Sequence, residues 1–115
     1  MNDSRQLTIA RYNLDAARFE RTQTQNALDF AEDAQAQLAP IARGLTAAPL
    51  GETRTEASDA FGHLGGILQT QVDRLIRADR KWYRIIADLE AQVEQLMDSR
   101  VQEILVEVVS GAPSA

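Results

Sequence analysis

Three groups of side chains could do chemistry. The first is His63, the one imidazole in the chain, set in Ala60-Phe-Gly-His-Leu-Gly-Gly66. Small neighbours let a partner approach the ring, which is what a phosphoacceptor needs. The second is a basic run, Arg74, Arg77, Arg80, Lys81 and Arg84, carrying Trp82 and Tyr83 within it. Arg74, Arg77, Lys81 and Arg84 fall on one stripe at helical spacing, a pattern that can meet phosphates or anionic lipid. The third is carboxylate: Asp29, Glu32 and Asp33, then Asp88, Glu90, Glu94 and Asp98. No Glu-x-x-His pair accompanies them, so the carboxylate-bridged di-iron pattern is absent. Phosphate-loop and nucleophile-elbow motifs are absent too. There is no Cys, hence no thiolate nucleophile and no sulfur metal site.

Each group has a plainer expectation. In length the chain resembles histidine phosphotransfer domains, which are four-helix bundles. Their His-x-x-Lys-Gly pattern would place Lys and Gly where Gly66 and Ile67 stand, so His63 is expected as an exposed residue near a helix irregularity. The basic stripe sits in a chain of net charge −5 and pI about 4.8. That balance argues against nucleic acid as a partner and favours a solvated face. The carboxylates are expected to serve solubility. The sequence therefore predicts no catalytic, cofactor or metal site and no enzymatic activity.

What must position these residues is helix. In a chain of 115 residues, Ala, Leu, Arg, Gln and Glu dominate, the composition of long helices or coiled coils. In the first half, Leu7, Leu14, Arg21, Leu28, Gln35 and Ala42 alternate with Ala10, Ala17, Thr24, Ala31, Leu38 and Leu45 at spacings of three and four. This is a seam of small side chains, with Tyr12, Phe19 and Phe30 beside it, placed to widen it. The predicted helix covers residues 4–39 and stops or kinks at Pro40, which lacks an N–H and clashes with the preceding turn. Residues 40–54 form the connection, with the turn at Pro49-Leu50-Gly51 and a capping box at Thr53-x-x-Glu56.

The second helix is expected over residues 55–109, bent at Gly65-Gly66, with a frayed tail over 111–115. Its seam is Leu68, Val72, Leu75, Asp79, Trp82, Ile86, Leu89, Val93, Leu96 and Arg100. Farther on, the apolar positions shift by one, to Val101, Ile104, Leu105 and Val108. The alternative for residues 103–109 (EILVEVV), which are β-branched, is an edge strand.

The predicted fold is thus all-α: one helical domain over residues 1–115, an antiparallel hairpin of two long helices that self-associates into a bundle or coiled-coil-like assembly. The second helix should overhang the first by about 25 Å, leaving Val101, Ile104, Leu105, Val108 and Val109 uncovered. With a turn near residues 47–50, facing residue numbers add to about 94–100, so Arg21 should face Asp73 or Asp79. The pair Arg21–Asp79 is the expected register device.

In plan, the chain resembles the small helical-hairpin substrates of type VII secretion. Ala60-Phe61 and the later Trp82 are similar to the start of their second helix. Pro49-Leu50-Gly51 stands where their Trp-x-Gly turn would be, and Ala87 where their export signal after Tyr83 would need an acid. Eleven Arg against one Lys suggests a GC-rich bacterial or phage genome. The expected function is a non-enzymatic interaction, assembly or scaffold subunit, binding itself or a larger protein through Leu75, Trp82, Ile86, Leu89, Val93, Leu96, Val101, Ile104, Leu105 and Val108. The alternatives are a secreted or phage structural hairpin and, third, phosphotransfer through His63. No apolar run is long enough to span a membrane, and the first residues lack the apolar core of a Sec signal. The expected location is cytoplasmic, with export by another route or association with a virion as alternatives.

Overall fold

A computed structural model describes residues 2–47 and 51–111. Two helices, α1 (Asn2–Ala47) and α2 (Glu52–Gly111), pack against each other as an all-α hairpin. The seam read from the heptads is the buried face. Leu7, Ala10, Leu14, Ala17 and Ala31 of α1 and Val72 and Ile86 of α2 are the buried apolar residues. The spacing explains this: residues three and four apart share a helix face. Several of these side chains are alanines, so the buried layer is thin.

Four expectations are corrected. First, α1 does not end at 39 but runs through Pro40 to Ala47. Pro40 is exposed, so its ring faces water and the Ala36 carbonyl, deprived of its usual donor, can be hydrated. Leu38 and Leu45, half-buried on the other side, keep the helix docked across the interruption.

Second, α2 starts at Glu52, and Thr53 is not its cap. The Gly51 carbonyl instead accepts from both the backbone N–H of Thr55 (3.0 Å) and its hydroxyl Oγ1 (3.1 Å). Arg54 Nε donates to the Leu45 carbonyl at 2.9 Å, giving a free carbonyl of the last turn of α1 the partner that helix ends need. Of the predicted turn, Pro49 and Leu50 lie outside the described residues.

Third, α2 ends not at 109 but at Gly111; it is continuous through Gly65-Gly66, as expected, the described glycines have no positive φ, and residues 112–115 of the expected tail lie outside the described residues. Residues 103–109 are helical, so the edge-strand alternative fails. Fourth, Tyr12, Phe19 and Phe30 do not widen the seam. They are 73%, 61% and 79% exposed, because each lies at least one position off the buried face.

The chain divides into two compact units: Met1–Glu20 with Lys81–Ala115, and Arg21–Arg80. In the first, Leu14, Ala17 and Ile86 form a core cluster against which Trp82, Ile85, Leu89 and Val93 pack. An exposed ion pair, Arg18–Glu90 at 3.8 Å, lies alongside and contributes little by itself. Arg100 of α2 donates to the Ser4 hydroxyl at the start of α1. From that level α2 runs on to Gly111. The overhang beyond Asn2 is thus about 14 Å, shorter than expected because α1 is longer at both ends, from Asn2 to Ala47.

In the second unit, polar groups occupy part of the seam. Arg21 Nε donates to Asp79 Oδ1 at 3.0 Å. Gln35 Nε2 donates to Gln69 Oε1, and Gln69 Nε2 to Asp73 Oδ1, each at 3.0 Å. Between them lie Ala31 and Val72, both buried.

Candidate interaction surface

The residues singled out for interaction fall into two classes. Trp82, Ile86, Leu89 and Val93 belong to the packing of α2 on α1 in the first unit, and Leu96 is half-buried in the same unit. Leu75 is half-buried in the second. A seam residue and a docking residue have the same type and spacing, so periodicity alone cannot separate them. The exposures do.

The outward class is Val101, Ile104, Leu105 and Val108. Every residue from 101 to 110 is exposed, and Val106 and Val109 join them as large apolar side chains facing water. Their exposure follows from the geometry. Arg100 is level with Ser4, near the start of α1, so these residues have at most one described turn of α1 beside them. The segment is strongly apolar, interrupted by Gln102, Glu103 and Glu107.

A second exposed set escapes a heptad reading. Ile9, Tyr12 and Phe19 are exposed on α1 of the first unit. With Ala16 they recur at three, four and three residues. The signal is present in that spacing, but it reads equally well as the edge of the buried seam. On the flank of the same unit a shallow groove of about 440 Å³ runs between the helices, lined by Asn13, Ala16, Glu20, Trp82, Ile85 and Leu89. Small side chains at 13 and 16 open it, and the Trp82 ring forms one wall.

The remaining candidates are placed as follows. His63 is exposed on α2 and borders a shallow depression with Gly62, Gly66, Thr70 and Arg74. Arg74, Arg77, Arg80, Lys81 and Arg84 are each exposed, whereas Asp79 is partly buried against Arg21. Among the described residues, no group of three or more His, Asp or Glu is arranged to hold a metal ion. Among the same residues, no helix is long and apolar enough to cross a membrane. No protein-family model, curated protein or solved structure matches this chain.

Proposed function

We infer that this protein is an interaction or assembly subunit whose binding surface is the C-terminal part of α2. The observation that carries the reading is the run of large apolar side chains, Val101, Ile104, Leu105, Val106, Val108 and Val109, exposed on a helix whose preceding turns are packed. Burying a side chain of this size is worth roughly 1.5–3 kcal/mol, so a partner helix gains considerably by covering several of them. The hairpin below supplies a rigid mount, since the Leu14–Ala17–Ile86 cluster holds α2 in place.

The test is a comparison of the wild type with Leu105→Asp combined with Val108→Asp. Immobilised wild type should retain a protein from native lysate, or its own soluble form, and the double variant should retain neither while keeping its helical circular dichroism. Equal retention by both would overturn the reading.

A further inference from the structure

The geometry points to a second copy of this chain as the occupant of the α2 surface, paired antiparallel about a two-fold axis near residues 102–103. The inference rests on the reading of that surface as a binding site and adds the partner, the direction and the register.

Met97, Val101, Ile104 and Val108 recur at four, three and four residues. They make a second seam on α2, rotated by one residue from the seam that meets α1. All are at least partly open to water, from 43% at Met97 to 61% at Val108. The pattern is its own complement when reversed. If facing numbers add to about 205, Met97 lies against the partner's Val108 and Val101 against the partner's Ile104, and the two-fold repeats both layers. No apolar side chain is then left facing a charge within the seam.

The flanks choose the direction. Arg100 and Glu107 lie on the same flank of this seam, one heptad apart. In an antiparallel pair like flanks meet, so Arg100 comes beside the partner's Glu107 and Glu107 beside the partner's Arg100. Two opposite-charge contacts result from one symmetric arrangement. A parallel pair would set each flank against the other, placing Arg100 near the partner's Leu105 and leaving both charges without a mate. Glu107 has no ion-pair partner within the chain among the described residues. The other flank brings Asp98 near the partner's Leu105, a contact that a carboxylate can make from the solvent side.

The size is consistent with a reversible dimer. Met97, Val101, Ile104, Leu105 and Val108 are 43–61% exposed, and even their complete burial in both chains only approaches the lower bound of about 1,000 Å² for specific interfaces, which is the size of a weak, reversible contact. The overlap is confined to residues 97–109.

The experiment combines sedimentation with cross-linking. The wild type should be in monomer–dimer equilibrium across the micromolar range. Arg100→Glu and Glu107→Arg should each weaken the dimer at least tenfold. Mixing the two variants one to one should restore affinity, because each then offers the charges the other lacks. The chain has no cysteine, so Val101→Cys and Ile104→Cys can be oxidised cleanly. Their mixture should give mainly the mixed disulfide dimer, several-fold over either homodimer. A wild type that stays monomeric throughout, charge variants that do not recover on mixing, or homodimers that match the mixed species would each overturn the inference. A monomeric wild type that still binds another protein, lost in Leu105→Asp with Val108→Asp, would overturn the second-copy assignment alone and leave the proposed function standing.

Discussion

Replacing Arg21 and Asp79 by Leu, singly and together, measures what the polar step in the hairpin seam contributes. One bond, Nε to Oδ1 at 3.0 Å, joins them, and their side chains are 30% and 25% exposed. Unit charges about 4 Å apart attract by about 4 kcal/mol at an effective dielectric near 20, and loss of hydration offsets most of this. Exposed pairs are worth about 0.2–1 kcal/mol, and breaking a fully buried pair costs about 3–5 kcal/mol. A pair a quarter to a third exposed falls between. Each single substitution is expected to destabilise by about 1 kcal/mol, with a coupling of about 2 kcal/mol that offsets both. The double Leu variant should be at least as stable as the wild type. Position 21 lies in the row of Leu14 and Leu28, and position 79 in the row of Val72 and Ile86, so the new side chains continue an apolar layer. Urea denaturation followed by circular dichroism reads this, at one fixed chain concentration because association shifts apparent stability. A coupling below about 0.3 kcal/mol, or a double variant less stable than both singles, would refute the reasoning.

Three further outcomes are expected. Gly65→Ala with Gly66→Ala should raise stability by up to roughly 2 kcal/mol in the same assay, since neither φ is positive and an added Cβ meets open space at 66 and only Leu38 Cδ2, at 3.7 Å, at 65. Pro40→Ala should stabilise by about 1 kcal/mol or more by restoring a donor for the Ala36 carbonyl, and a loss on denaturation would contradict the account of the helix passing through it. Leu14→Ala should cost about 2–3 kcal/mol, because Leu14 is buried against Ala17 and Ile86; a cost under about 1 kcal/mol would place the core elsewhere.

The hairpin was legible because its buried face follows one rule. Leu7, Ala10, Leu14 and Ala17 keep the three–four spacing, and Ile86 packs on Leu14 and Ala17 from α2. Arg21 and Asp79 could be matched because an antiparallel hairpin fixes which residues face each other. Local signals misled where tertiary packing outweighed them. Pro40 reads as a stop, yet on an exposed face it removes one bond and little else. Thr53-x-x-Glu56 reads as a cap, yet Gly51 and Arg54 supply the bonds that start one helix and end the other. The exposed apolar surface was only half legible. Trp82 and Leu89 obey the same pattern as Val101 and Ile104, and only the position of the start of α1 separates a covered side chain from a bare one.

The antiparallel pairing also sets an order of events in folding. The Gln35–Gln69 contact closes a loop of sequence separation 34, Arg21–Asp79 one of 58, and Ser4–Arg100 one of 96. Loop entropy makes the last of these about 1 kcal/mol costlier to close than the first. Contacts near the turn, the Gln35–Gln69 bond among them, therefore close most easily, while the cluster of Leu14, Ala17 and Ile86 lies farther from the turn. The chain must bring distant segments together before burial of that cluster rewards it. Its refolding should accordingly be slower than that of a helical protein dominated by local contacts, and amides near Leu14 and Ile86 should exchange more slowly than those near Gln35 even though they come together later.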